Sequence, residues 1–315
     1  MELFPHVLIL VVSLGALFYS GGMLVRSLTW IGRYLNISEY ILSFVLAAFA
    51  TSLPELFVGI SSAFQKVPQL SLGNLVGANV LDMTIVLGIS ILVAGSIATR
   101  GSLDRKDALL TLGSILAPGI LMLDRTLSRL DGILLIGMFV LYTIHLIRET
   151  HVTPSVNSMH SEERSLRSFL RHFTILILGI LLLLASSRLA VGESIAIAEN
   201  FKFPLFLVGI LIAFGTSLPE TVFGIKSVTL RHSSMSIGNS LGSVVLNTSL
   251  ILGIVAVIHP ISILARTPTL IGIGLVLALV FITEFLGLRC GKLTRPFGIV
   301  LIACAIAFIA VQNLL

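Results

Sequence analysis

Apolar runs of about twenty residues, parted by short polar breaks, recur along the whole 315-residue chain. Each run is long enough to cross a ~30 Å hydrocarbon core as a helix. The pattern predicts ten spans, over 5–33, 38–66, 69–96, 104–122, 128–148, 167–198, 203–229, 233–259, 267–288 and 295–313. The opening stretch, MELFPHVLIL, has no basic residue ahead of its apolar run, so it reads as a first transmembrane helix and not as a signal peptide. One long polar connector, beginning ETHVTPSVNSMHSEERS at Glu149, divides the chain. The expected organisation is a first five-helix unit at 1–148, a linker at 149–166 and a second five-helix unit at 167–315.

Polar residues interrupt this pattern at two matching places. The segment AFATSLPELFVGISSAFQKVPQLSLGNLVGANVLDMTIVLG (48–88) aligns without a gap with AFGTSLPETVFGIKSVTLRHSSMSIGNSLGSVVLNTSLILG (213–253), at a constant offset of 165. Eighteen of the 41 positions are identical. Each copy covers the second and third spans of its unit. Because each unit has an odd number of spans, the second copy is expected to enter the membrane upside down relative to the first. Inverted repeats with interrupted helices near the midplane are a feature of secondary transporters. The predicted fold class is therefore an all-α polytopic membrane protein, with spans 2, 3, 7 and 8 interrupted or closely packed around a midplane site.

Each copy contains a helix break beside polar groups. Pro54 and Pro219 lack an N–H and free the carbonyls near Ala50 and Gly215. Free carbonyls are tolerated at membrane depth where they line a wet cavity or hold an ion. Thr51, Ser52 and Glu55 stand beside the first break, and Thr216, Ser217 and Glu220 beside the second. In the following span Asn74, Ala78 and Asp82 fall at i, i+4 and i+8, as do Asn239, Ser243 and Asn247, so each trio shares one helix face. Gly73, Gly77, Gly238 and Gly242 would let those faces approach the broken helices closely. An ionised acid at helix centre costs roughly 2.5–3.5 kcal/mol on insertion scales, so Glu55, Asp82 and Glu220 call for cations or protons. The ligands on offer are carboxylates, hydroxyls, amides and backbone carbonyls. Such oxygen sets suit calcium and alkali ions better than zinc or copper.

Composition and charge narrow the picture further. Apolar residues make up 56% of the chain and charged ones 11%, outside the range of soluble domains. Fourteen basic residues fall on one predicted face and five on the other, with Arg188 inside span 6. That bias puts the linker in the cytoplasm and both termini outside. The net charge of +5 is then a topology signal with some attraction to anionic lipid, and nucleic acid is not an expected partner. Cys290 and Cys304 have no metal-ligand or redox spacing, so neither a disulfide nor a resident metal cofactor is expected.

At these residues the chain resembles the sodium/calcium exchangers of the calcium/cation antiporter superfamily, in a compact form without a regulatory loop. The shared features are twin SLPE motifs, each followed by a GN-x-x-G stretch. The resemblance implies an antiporter exchanging calcium for sodium by alternating access, with Ca2+ and Na+ as cargo, no cofactor and no enzymatic activity. It implies that Glu55 and Glu220, with Thr51 and Thr216, bridge calcium. Ser52, Ser217 and Ser243, with the carbonyls of Ala48 and Ala213, would serve flanking sodium sites, and Asp82 and Asn247 would complete the middle. It also implies that spans 1 and 6, the long ones here, slide across the rest.

The chain departs from the family at two positions. Ala78 stands where a Ser is usual, and Val244 where an Asn is usual, the latter retained at Asn79. A missing hydroxyl weakens one sodium cage, which admits proton or potassium coupling as the alternative. Three clustered acids would titrate as a unit, with Asp82 holding a proton for part of the cycle. Asn79 is expected either to contact an ion or to hydrogen-bond a neighbouring helix. Glu193, Glu199, Glu284 and His145 are expected to be interfacial. A cation channel would use the same acids without two inverted halves, and an intramembrane hydrolase would need a base that neither Ser52 nor Ser217 has nearby.

Overall fold

The computed structural model describes residues 3–35, 39–99, 105–149, 165–198, 205–263 and 266–312. The linker at 150–164 lies outside them, as do the side chains of Arg188 and Glu193 and the whole of Glu199.

The helical pieces occur as consecutive rods. Helix α1 is Leu3–Leu35. Helix α2 is broken into α2a at 39–51, with a π-helical turn at Ser43–Ala47, and α2b at Leu53–Phe64. Helix α3 is Pro68–Ala94, with a π-helical turn at Asp82–Val86. Helices α4 (Arg105–Leu121), α5 (Arg129–Glu149) and α6 (Leu166–Ala198) follow. Helix α7 is broken into α7a (Leu205–Thr216) and α7b (Leu218–Thr229). Helix α8 is Ser233–Ile258 with a π-helical turn at Leu246–Ile251, and α9 (Arg266–Cys290) and α10 (Arg295–Gln312) complete the chain.

Among the described residues six of these helices are long and apolar enough to cross a membrane, and seven when the bent α2 pair counts as one span. Lipid-length apolar rods and their outward Leu, Ile, Val and Phe side chains fit a multi-pass membrane protein, because only helices satisfy their own backbone groups in hydrocarbon. Helices α3 and α8 are the most enclosed: 78% of the apolar window of each is buried, against 22–39% in α4, α5, α9 and α10. They form the interior, and the others screen it from lipid.

The all-α expectation is modified at the ends of the bundle. Strand Ser96–Ala98 (β1) pairs antiparallel with Lys292–Thr294 (β4), and Thr126–Leu127 (β2) pairs with Ile261–Ser262 (β3). These short ladders give partners to backbone groups that leave the helix ends. Gly95 and Gly291 take positive φ at the turns into β1 and β4, a conformation glycine adopts without a Cβ penalty.

The two halves interlock by equivalent contacts. Gly88 on α3 crosses Gly298 on α10 with each backbone against the other's carbonyl, and Gly253 on α8 crosses Gly132 on α5 in the same way. The repeat glycines act across the halves. A Cβ on Gly77 would lie 2.9 Å from the Ala213 side chain of α7a, and one on Gly242 would strike the Phe44 carbonyl of α2a. These glycines are the ones expected to pack closely on a broken helix, and that helix belongs to the opposite half.

Gly242→Val is therefore expected to destabilise the protein by about 1–3 kcal/mol or to prevent assembly, since the obstructing atom is backbone and cannot rotate away. Gly137→Ala, where nothing lies within 4 Å, is the neutral control. Thermal unfolding in detergent measures both, and an unchanged midpoint for Gly242→Val would contradict the packing described.

Candidate functional site

The two helix breaks meet face to face at the centre of the bundle. Ser52 and Ser217 end their helices with almost the same geometry, φ −86° and ψ 12° against φ −81° and ψ 6°. In both the next helix opens with Leu-Pro-Glu, because proline fits a first helical turn where no N–H partner exists. The first break bends its pair by 53°. The serine N–H groups still reach back, Ser52 to the Ala48 carbonyl and Ser217 to the Ala213 carbonyl, both at 2.9 Å.

Side chains from opposite halves then converge. Thr51 Oγ1 donates to Ala48 O and to Asn239 Oδ1, each at 3.3 Å. Thr216 Oγ1 repeats this with Ala213 O at 3.4 Å and Asn74 Oδ1 at 3.3 Å. Ser52 Oγ lies 3.0 Å from Glu220 Oε1 and 3.2 Å from Ser243 Oγ. Thr216 stands beside Glu55, and Asp82 stands near both Glu55 and Glu220. Asn247 Nδ2 donates to Asn79 Oδ1 at 3.0 Å.

Every residue expected at the site from sequence is buried. Thr51, Thr216, Ala48, Ala213 and Ser243 are 0% exposed, Ser52, Glu55, Asp82, Glu220 and Asn247 are 1%, and Ser217 is 3%. The contacts join Thr51, Ser52, Thr216, Glu55, Glu220, Asp82 and Ser243 and both alanine carbonyls into one cluster. Asn247 instead pairs with Asn79 of the opposite half. Ser217 Oγ, the counterpart of Ser52, has no hydrogen-bond partner among the described residues.

Satisfaction of the polar atoms is incomplete: among the described residues Nδ2 of Asn74 and of Asn239 lack an acceptor, but most of the unmatched atoms at the site are acceptors. Among the described residues, both carboxylate oxygens of Glu55, Oδ1 of Asp82, Oε2 of Glu220 and Oδ1 of Asn247 are buried without a hydrogen-bond donor. Buried acceptors of this kind are expensive unless something positive meets them. Among the described residues no three His, Cys, Asp or Glu side chains converge tightly enough to hold a metal by themselves. Any cation held here must also use hydroxyl and carbonyl oxygens, which is the mixed ligand set of calcium and alkali ions.

Several features are not legible in the sequence. Asn74 and Asn239 tie each half's α3 or α8 to the opposite threonine; their identity across the repeat is the available signal. Asp82 opens one π-helical turn and Asn247 sits in another. Such turns shift the register of a face and often occur at functional sites, but they leave no mark in sequence spacing. Ala78 packs with Ala213, so the missing hydroxyl is replaced by an apolar contact. Glu284, expected at the interface, is 3% exposed.

Known proteins resemble the chain over nearly its full length. The family profile described as sodium/calcium exchanger protein matches the chain twice, over residues 5–148 and 171–314. The chain is 31% identical over 313 residues to CaxA of Alkalimonas amylolytica, which is named as an antiporter, covering 96% of both chains. It is 25% identical to the sodium/calcium exchanger MaX1 of Methanosarcina acetivorans, over 96% of this chain and 97% of that one. In fold it matches the solved structure of the sodium-calcium exchanger NCX_Mj with a TM-score of 0.82 at 23% identity, covering 98% of this chain and 99% of the other.

Thr51→Val and Thr216→Val remove equivalent hydrogen bonds from the two halves. Each is expected to lower stability by a similar amount, about 0.5–1.5 kcal/mol. Denaturation of the two variants side by side checks this, and a large loss in one with none in the other would mean that the contacts are not equivalent.

Proposed function

The chain belongs to the sodium/calcium exchanger family, and from that premise we propose that it exchanges calcium for sodium across a membrane by alternating access at the central carboxylate cluster. The observation that carries this reading is the set of donor-less carboxylate oxygens on Glu55, Asp82 and Glu220, buried among hydroxyls and free of any basic partner among the described residues. In the proposed assignment Glu55 and Glu220, with Thr51 and Thr216, hold calcium between the halves. Ser52, Ser217 and Ser243, with the carbonyls of Ala48 and Ala213, hold sodium at the flanks. Asp82 and Asn247 close the middle.

Exchange follows from charge. Three carboxylates in a medium of low dielectric cannot stay ionised without counter-charge. Sodium at the flanks and calcium in the middle draw on the same negative charge of Glu55, Asp82 and Glu220, so one cargo leaves before the other settles. Equivalent contacts across the halves, such as Thr51 to Asn239 and Thr216 to Asn74, support an inverted-repeat arrangement in which either half can open. The basic-residue bias supports a cytoplasmic linker and external termini. No covalent chemistry is assigned: Ser52 donates to a carboxylate and has no histidine to activate it among its described contacts.

The second reading, coupling to protons or potassium, rests on Ala78. With an alanine against Ala213, that flank offers a carbonyl without the usual hydroxyl. The test is radioactive calcium uptake into sodium-loaded proteoliposomes diluted into sodium-free buffer, with proton and potassium gradients in parallel. Sodium-driven uptake that collapses with the gradient supports the first reading. Uptake driven only by protons or potassium supports the second.

Glu55→Gln and Glu220→Gln are each expected to reduce exchange by at least tenfold, corresponding to about 1.4 kcal/mol or more of lost ion stabilisation. Exchange retained in both variants would rule out a shared site. Lowering the pH is expected to slow exchange in the wild type, because protons compete with cations for the same carboxylates.

A further inference from the structure

A second buried acid lies away from the central cluster. Glu284 on α9 is 3% exposed, and its Oε2 has no hydrogen-bond partner among the described residues. Helix α9 packs against α4, and Glu284 lies near Thr111 and Asp107 there. Thr111 Oγ1 lies 2.7 Å from the hydroxyl of Tyr142 on α5, itself 4% exposed. One helical turn further along α5, His145 Nε2 lies 3.8 Å from Asp107 Oδ1. His145 is 33% exposed, so the chain of groups runs from the end of the bundle where α5 finishes inward to Glu284.

The repeat offers an internal comparison. At the offset of 166 that relates Gly132 to Gly298 and α5 to α10, Asp107 corresponds to Ile273, Thr111 to Leu277 and Tyr142 to Phe308, while Glu284 corresponds to Pro118. At that opposite end of the α4–α9 crossing, Ile273 packs beside Gly119, and Phe308 beside Gly272. The same crossing is therefore closed by apolar residues at one end and by two acids, two hydroxyls and an imidazole at the other. Packing alone does not require the polar set.

We propose that Glu284 and Asp107, with Thr111, Tyr142 and His145, form a second cation site, separate from the central carboxylates, which binds a proton drawn from the water at this end of the bundle. Glu284, buried with an oxygen that meets no donor among the described residues, needs a positive charge beside it. A metal ion is poorly served here, because Thr111 and Tyr142 are engaged with each other and, among the described residues, no three His, Cys, Asp or Glu side chains converge tightly enough to hold one. An imidazole at the rim is instead suited to pass a proton between water and Asp107. Among the other charged side chains described on these elements, Arg129 of α5, Arg266 of α9 and Lys292 of β4 are exposed. Asp82 of α3 belongs to the central cluster, and Arg148 of α5 is exposed. Asp131, near the far end of α5, pairs with Ser128. Arg295 of α10 lies against Gly95, and Arg289 of α9 lies over the Phe285 ring. Because α4 and α9 belong to different halves, occupancy of this site bears directly on the contact between the halves.

The test is difference infrared spectroscopy on the purified full-length protein in lipid, comparing acidic with alkaline buffer without sodium or calcium. Wild type is expected to show overlapping protonated-carboxyl bands, one component of which Glu284→Gln removes and the Glu55→Gln/Glu220→Gln double variant retains. Tyr142→Phe keeps the ring but deletes the hydroxyl, and it is expected to shift the pH midpoint of that component. It serves as the test if Glu284→Gln fails to assemble. A spectrum unchanged in both variants would overturn the proposal. So would a band that follows added sodium or calcium at fixed pH and disappears in Glu284→Gln, because the site would then hold a metal ion. The readout does not depend on transport, so it stands or falls separately from the exchange reading.

Discussion

Three carboxylates buried together in an apolar bundle set the terms for the rest of this structure. Glu55, Asp82 and Glu220 are each 1% exposed and lie in each other's fields. In hydrocarbon such a cluster survives only if its counter-charge arrives from outside the chain or if protons neutralise it. The protein meets part of the demand with hydroxyls, as where Ser52 donates to Glu220. It leaves the remainder unmet on oxygens that point at no donor among the described residues. An arrangement left short of positive charge is suited to cargo that comes and goes, whereas a fully satisfied network would favour one permanent state.

The architecture follows from holding those acids in place. Helices α3 and α8 are buried on nearly all sides, so their glycines, asparagines and π-helical turns face other helices and not lipid. Each packs against the broken helix of the opposite half, which makes the site a joint property of both halves. Neither half contains a complete set: Asn239 serves Thr51, Asn74 serves Thr216, and Ser243 serves Ser52. The glycine crossings and short end ladders brace this exchange of partners without adding charge. Asymmetry enters through a few substitutions, namely Ala78 for a hydroxyl, Asp82 opposite Asn247, and the polar end of the α4–α9 crossing.

Much of this is legible in the chain itself. Helix limits fall within a few residues of those expected, because a hydrocarbon core imposes a length on every crossing segment and polar breaks mark its ends. The residues of the central cluster also stand out, since acids, hydroxyls and prolines would not recur at a constant offset inside apolar runs unless they served a common site. Charge deep in a membrane is conspicuous in sequence because it is so costly there.

What the sequence by itself determined was therefore the spans, the duplication and the residue types of the site. Tertiary structure alone decided which half each side chain serves. Sequence spacing records neighbours along one helix, whereas the Thr51–Asn239 and Thr216–Asn74 pairs span 188 and 142 positions. It also decided that Asp82 and Asn247 fall on π-helical turns, where an extra residue per turn resets the face without changing the sequence pattern. And it decided the fate of Glu284, which sits near a helix end and so reads as interfacial. Its burial depends on α4 and α3 packing against α9, and contacts between distant helices are not recorded in the hydropathy of any one of them.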